Sequence, residues 1–337
     1  MGCTQPVGGP HAEIMALQNA QSFDGSVVGA TAYVTLEPCS HHGRTGPCCD
    51  ALIAAGIKKV VATIADPNPL VSGQGFARLR AAGVEVVVLD PKDPLAIQSR
   101  ELNVGFFSRM VRKTPWVRMK IAASLDGKTA LDNGVSQWIT SPEARTDGHT
   151  WRARAGAILT GIGTVLQDNP RLDVRLPGTN RQPPLVIVDS ALQTPVDAAL
   201  FLKGRQILIY TALQNDDRKQ ALEARGATII DLPGKNADSS ATGKVDLAAM
   251  LIDLGRREVN ELHVEAGHRL NGSLFREGLV DELLLYMAPK LLGQGRDMAS
   301  FGPLANLEDA PQLNFTSMAL VGPDLRLLAR LQGRDVF

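Results

Sequence analysis

The sequence predicts an α/β protein of two domains, the second built round a largely parallel sheet, and three observations carry that expectation. The chain has 337 residues, enough for about two domains at roughly 150 residues each. Continuous apolar runs such as Lys58–Ile64, Val84–Leu89 and Leu185–Val188 read as buried parallel strands rather than as half-exposed antiparallel ones. Helical segments separate most of these runs, the alternation typical of α/β architecture.

Taken in order, Ala12–Gln21 reads as a helix and Ala30–Leu36 as a β-rich run. Cys48–Ala55 opens a second helix, and Phe76–Ala82 is a short one closed by Gly83. Pro94–Arg112 reads as one longer helix, broken by Lys113-Thr114-Pro115. The domain boundary falls there, giving domains 1–114 and 115–337. The second begins with strand Trp116–Ala123, helix Arg145–Ala155 and strand Ala157–Thr160. Strands Gln206–Tyr210, Thr228–Ile230, Glu261–Val264 and Leu283–Ala288 follow, with a hairpin at Gly322-Pro323-Asp324. The polar segment Pro233–Thr242 reads as a loop or a short disordered insert.

Composition excludes several classes. The chain is 44% hydrophobic and 21% charged, with 35 basic residues against 35 acidic. That balance lacks the electrostatic footprint of a general nucleic-acid binder. No apolar run reaches the roughly 18 residues needed to cross a bilayer, and the first residues have no signal-peptide pattern. All four cysteines (Cys3, Cys39, Cys48, Cys49) lie in the first fifty positions, so a reducing cytoplasm is the expected compartment.

The chemistry concentrates in His11 and Glu13 of Pro-His-Ala-Glu and in Cys39 and Cys48 of Pro-Cys-Ser-His-His-Gly-Arg-Thr-Gly-Pro-Cys-Cys. One imidazole and two thiolates make a tetrahedral zinc site with a corner left for water. Glu13 sits two positions beyond the first ligand, where it can move protons on and off that water. Cys49, His41 or His42 could instead close the site as a structural fourth ligand. The pattern resembles the zinc nucleobase deaminases, which usually place two residues between the cysteines; here there are eight. The longer spacing, with Glu37-Pro38 before it and Asp66-Pro67-Asn68-Pro69 after it, resembles the deaminase domain of the bifunctional riboflavin-biosynthesis enzymes. The resemblance implies a cytidine-deaminase-like α/β/α domain with ligands His11, Cys39 and Cys48, proton shuttle Glu13, and Cys49 as an unligated neighbour. Family domains carry a further helix and two strands before the His-x-Glu, where this chain has ten residues. The first strands are therefore expected to be missing, and the zinc site to fold poorly and deaminate weakly.

The second half lacks a Gly-x-Gly-x-x-Gly dinucleotide fingerprint. Gly161-Ile162-Gly163-Thr164 and Glu265–Ser273 each follow a strand and lead into a helix, turns where backbone amides can meet an anion. Four stretches resemble, in order, the reductase domain of the same enzymes: Met119–Lys128, Ser136–Thr140, Asp168–Leu172 and Val264–Gly267. That resemblance implies a dihydrofolate-reductase-like α/β fold using NADPH. It sets the cofactor against Ala122, Trp138, Thr164, Asp168, Ser190 and the turn Gly267, His268, Arg269, Leu270, Asn271, Gly272, Ser273. It sets a pyrimidine ribosyl phosphate substrate against Ser136, Arg152, Leu172, Arg175 and Glu265. Arg152 and Arg175 can grip a phosphate through bidentate charge-assisted bonds. Asp168 and Lys120 are candidate proton donors. A homodimer or homotetramer is implied, with neither nucleic-acid nor membrane partner. The rival readings are a reductase with a non-functional deaminase remnant, a tRNA deaminase with an accessory domain, and a non-enzymatic module holding structural zinc.

Overall fold

The computed structural model describes every residue except 7, 23–24, 43–45, 70 and 236–239. The chain divides into two compact units, Met1–Arg112 (with the terminal Phe337) and Lys113–Val336.

The first unit runs α1 (Ala12–Ser22), β1 (Thr31–Val34), α2 (Cys48–Ala54), β2 (Lys59–Ala62), α3 (Gln74–Ala81), β3 (Glu85–Val88), α4 (Pro94–Leu102) and α5 (Val104–Arg112). Its three strands form one parallel sheet in the order β1-β2-β3. Val60, Leu52, Leu79 and Cys49 are buried between sheet and helices. The expected single helix over 94–112 is two helices. Asn103 ends α4 and its amide donates to the Ser99 carbonyl at 2.8 Å, a local bond that competes with continuation of the helix.

The second unit contains β4 (Trp116–Ser124), β5 (Lys128–Leu131), α6 (Pro142–Arg154), β6 (Ala157–Gly161), α7 (Ile162–Asp168), β7 (Leu185–Val188), β8 (Ile207–Thr211), α8 (Asp216–Glu223), β9 (Ala227–Asp231), β10 (Pro233–Lys235), β11 (Ala241–Val245), α9 (Leu247–Arg256), β12 (Glu261–Val264), α10 (His268–Arg276), β13 (Glu282–Ala288), β14 (Gly295–Asp297), β15 (Leu313–Val321) and β16 (Asp324–Leu331). Nine strands make one sheet, β15-β16-β13-β4-β12-β6-β7-β8-β9, parallel from β13 to β9 and closed by the antiparallel β16 and β15. Of the segment expected to be a loop at 233–242, Pro233–Lys235 and the start of Ala241–Val245 pair as the antiparallel β10–β11, and residues 236–239 lie outside the described residues. Its glycines and polar residues gave no strand signal, and the pairing is made by backbone groups.

Strand alternation sorts β4 into two faces. Val117, Met119, Ile121 and Ala123 join the main hydrophobic core. Arg118, Lys120 and Ala122 point the other way, where α6 packs. That helix starts at Ser141, whose hydroxyl caps it by accepting from the Ala144 amide at 3.2 Å, with Pro142 in its first turn. It docks through charge as much as through apolar contact. The Tyr286 hydroxyl donates to Asp147 at 2.5 Å, and the Arg118 guanidinium lies 4.7 Å from the centre of the Trp151 ring. A polar layer therefore runs across the sheet under α6, and the reductase-like site opens from it.

Candidate active sites: a zinc centre and a dinucleotide-sized cleft

In the first unit, His11 immediately precedes α1, Cys48 begins α2, and Cys39 lies in the loop between β1 and α2. Their ligand atoms lie within 4.8 Å of one another, and among the described residues no other group of three or more His, Cys, Asp or Glu is so placed. His11 Nδ1 is 3.6 Å from Cys39 Sγ and 3.4 Å from Cys48 Sγ. Bond lengths of ~2.3 Å to sulfur and ~2.05 Å to nitrogen at a tetrahedral centre require an N–S separation of about 3.6 Å. The donor set therefore fits zinc with its spacing already formed. The Cys48 amide donates to Cys39 Sγ at 3.3 Å, so the start of α2 offers a positive end to that sulfur. The hydrogen bond with the Cys48 thiol, aided by that amide and by His11, lowers the Cys39 thiol to about 5, while Cys48 is pushed up as the partner that keeps the proton. Burial raises the Glu13 carboxyl above its usual range, the direction that suits a proton shuttle near neutral pH.

The possible fourth ligands do not join the cluster. Cys49 Sγ points away, donating to the Pro38 carbonyl at 3.0 Å, and burial raises its thiol to about 12. His41 and His42 are exposed. The three-ligand arrangement leaves the open corner that distinguishes a catalytic from a structural site.

Glu37 carries a role the sequence did not reveal. Its carboxylate is 3% exposed and accepts four backbone amides: Gly75 at 2.8 Å, Gly73 at 2.9 Å, Asp66 at 3.2 Å and Phe76 at 3.3 Å. It ties the 66–73 segment and the start of α3 to the residues just before Cys39. Gly75 is required there, since a Cβ would stand 2.1 Å from the Pro38 carbonyl oxygen. The only sequence signal was an acidic residue directly before Pro-Cys.

In the second unit, a cleft of about 1860 Å³ opens at the C-terminal ends of β4, β12, β6 and β7, the end where open α/β sheets bind ligands. Single-ligand pockets occupy about 300–1,000 Å³, so the cleft has room for two nucleotide-sized molecules. Every residue assigned to cofactor or substrate by resemblance lines it except Gly272. A Cβ on Gly272 would stand 1.9 Å from the Ser300 carbonyl oxygen, so this glycine serves close packing of α10 and not the ligand. Leu172 turns its side chain into the core and reaches the cleft in a left-handed backbone conformation at φ 49°. Asn271 is buried and donates to the Met298 carbonyl at 2.9 Å.

The cofactor side fits NADPH. Helix α10 starts at Gly267 with no side-chain cap, leaving its first amides available to a pyrophosphate. A Cβ at Gly267 would meet only Thr164 Oγ1, at 3.6 Å, so the approach is open. Ser190 accepts from the Val245 amide at 3.3 Å. The β10–β11 pair, missed from the sequence, also contributes Lys235 and Lys244 to the cleft wall. Trp138 is 62% exposed, with the Arg145 guanidinium 4.4 Å from its ring centre, a cation–π support that fixes the indole.

The part of the cleft expected to meet substrate holds a charged cluster centred on Glu265. Arg152 closes its fork on Glu265, Nε to Oε1 and Nη2 to Oε2, the latter at 2.8 Å, and gives Nη1 to the Asp173 carbonyl at 3.0 Å. Arg152, expected to grip a phosphate, is here paired with Glu265, the residue just after β12, which lies under α6. Lys120 Nζ lies 3.8 Å and His263 Nε2 3.3 Å from the same carboxylate. Although burial opposes it, the charges of Arg152 and Lys120 hold Glu265 well below the usual carboxylate range. Burial lowers Lys120, opposed by Glu265. Asp168, at the end of α7, is exposed on the cleft and is raised by its partial burial. Arg205 was not singled out from the sequence; it is 7% exposed and donates to the Pro183, Arg171 and Leu172 carbonyls, fixing the loop that carries Arg171 and Arg175.

Comparison with known proteins agrees with this geometry. Residues 115–327 match the RibD C-terminal domain, and residues 4–64 match the cytidine and deoxycytidylate deaminase zinc-binding region. The chain is 44% identical to the riboflavin biosynthesis protein RibD of Escherichia coli over 97% of its length and 88% of the relative's. It resembles the solved RibD of Acinetobacter baumannii with a TM-score of 0.84 at 35% identity, covering 97% of this chain and 86% of that one. It also resembles a Thermotoga maritima diaminohydroxyphosphoribosylaminopyrimidine deaminase/5-amino-6-(5-phosphoribosylamino)uracil reductase, with a TM-score of 0.80 at 30% identity, covering 96% and 86%. A zinc-ready triad in one unit and a two-ligand cleft in the other, in a chain matched almost end to end, place the protein in the RibD family of bifunctional riboflavin-biosynthesis enzymes.

Proposed function

We propose that the chain carries out two successive steps on one pyrimidine ribosyl phosphate. The first unit hydrolytically deaminates 2,5-diamino-6-(5-phosphoribosylamino)pyrimidin-4-one. The second reduces the ribosyl group of the resulting aminouracil to ribityl. The observation that carries this reading is the pairing of the His11–Cys39–Cys48 triad beside Glu13 with a cleft large enough for cofactor and substrate together.

His11, Cys39 and Cys48 would hold zinc, which when bound would supply a Lewis acid able to lower the pKa of water toward ~7 from about 15.7. Glu13 takes a first proton from the attacking water and gives it to the ring nitrogen, then takes the second from the new C–OH group and gives it to the amine, which leaves as ammonia while the C=O forms. Glu37 keeps the surrounding loops in place through its four amide bonds.

In the second unit NADPH, when bound, would supply the hydride that reduces C1 of the ribosylamine as the bond from C1 to the ring oxygen breaks. The α10 amides and Ser190 hold the dinucleotide, and Trp138 packs against a ring. Lys120 gives the proton to the ring oxygen as the sugar opens. Its burial lowers the cost of losing that proton, and Glu265 orients it. Arg152 fixes Glu265 in turn. Asp168 is the weaker donor because it stands exposed, away from this cluster of paired charges.

The test follows ammonia release and NADPH oxidation separately in the purified protein, with the deaminated intermediate as a parallel substrate. Ammonia release followed by oxidation supports both steps. Oxidation with the deaminated intermediate alone favours a reductase-only protein. Neither reaction, in protein that binds zinc and NADPH, overturns the reading.

A further inference from the structure

We propose that His149 is a direct ligand of the substrate phosphate, acting beside Arg175; the inference rests on the reductase reading above and deepens it. Positions three apart share a helix face, so His149 and Arg152 both turn from α6 toward the cleft, whose wall includes them with Lys120, Arg171 and Arg175. The cations here meet two carboxylates. Arg171 and Arg175 approach Asp173 at 3.0 and 3.6 Å, and Lys120 and Arg152 approach Glu265. With the Arg152 fork closed on Glu265 and the Asp173 carbonyl, a phosphate needs other donors.

The imidazole supplies one. His149 Nδ1 stands 3.4 Å from the Arg175 backbone nitrogen. An amide can only donate, so Nδ1 accepts and the proton of the neutral ring lies on Nε2. Burial, and then the charges of Arg152 and Arg175, lower its pKa against weaker opposition from Glu265 and Asp173, which favours the neutral ring. Nε2–H therefore faces Arg175 Nη2, also a donor, across 3.3 Å. Two donors at that separation do not satisfy each other. A phosphate oxygen accepting from both satisfies them together, in the charge-assisted geometry that suits an anion. The loop bearing Arg175 is anchored from beneath by Arg205, so the pair is held in position before the ligand arrives.

The probe is ribose 5-phosphate, with ribose as the unphosphorylated control. Dissociation constants are measured for wild type, His149→Ala and His149→Gln. NADPH affinity is measured in each as a check on the fold of the cleft. Wild type binds ribose 5-phosphate more tightly than ribose; equal binding would overturn the substrate reading itself, before any variant is made. Loss of one hydrogen bond to a charged group predicts that His149→Ala weakens ribose 5-phosphate about tenfold, with ribose and NADPH binding unchanged. His149→Gln keeps an N–H donor and is expected to bind within about threefold of wild type. His149→Ala binding ribose 5-phosphate as tightly as wild type would overturn the proposal. If His149→Ala also loses NADPH, His149→Gln decides: retained phosphate binding supports the proposal, and a tenfold loss with NADPH affinity intact counts against it.

Discussion

The candidate zinc centre brings together His11, Cys39 and Cys48, two of them at helix starts and one in a loop. The reductase cleft draws Lys120 from a central strand, Arg152 from a helix, Arg175 from a loop and Glu265 from the end of a strand far along the chain. In the first site, chain segments close in sequence bring donor atoms to metal spacing. In the second, parallel strand register does that work. Glu265 follows β12 and Lys120 lies on β4, and those strands pair directly, with Val264 opposite Met119. The contrast predicts that replacing Glu13 removes a chemical group and leaves its neighbours in place, whereas replacing a member of the Glu265 cluster also leaves its charged partners unpaired.

Five substitutions sharpen the contrast. Glu13→Gln should lower ammonia release about 10²–10⁴-fold while zinc content, folding and reduction of the deaminated intermediate remain; unchanged deamination would break the assignment. Lys120→Met should lower reduction about 10²-fold or more with NADPH affinity retained. The reduction rate of wild type should fall as pH rises through the Lys120 pKa, because the protonated amine is the donor, and that pKa lies below its ordinary value. Lys120→Arg should keep its proton to higher pH and abolish that alkaline limb. Glu37→Ala leaves four amides without their acceptor and should cost the first unit about 3 kcal/mol, read as an earlier thermal transition with weaker zinc retention. Asp168→Asn should change reduction only a few-fold; a loss as large as that of Lys120→Met, with NADPH still bound, would move the proton-donor role to Asp168.

The ligand triad and Glu13 were legible because zinc demands particular residue types at constrained spacing. The cleft-lining residues that the sequence analysis named were mostly reached only through resemblance, since a lone Arg152 or Trp138 in a sequence carries no distinguishing signal. Glu37 and Arg205 escaped because their partners are backbone groups brought near by folding. The Arg152–Glu265 pair escaped because it depends on where the chain just after β12 falls under α6. The break at Asn103 and the β10–β11 pair were missed for a related reason: a side chain bonding to its own helix, and strands made of residues with little strand preference.

The most direct test removes zinc with a chelator and follows both reactions in the same preparation, ammonia from the undeaminated substrate and NADPH oxidation with the deaminated one. The account predicts that ammonia release stops and returns when zinc is restored, while oxidation continues unchanged. Ammonia release that persists without metal, or oxidation that falls in step with it, would contradict two separate sites with separate chemistry.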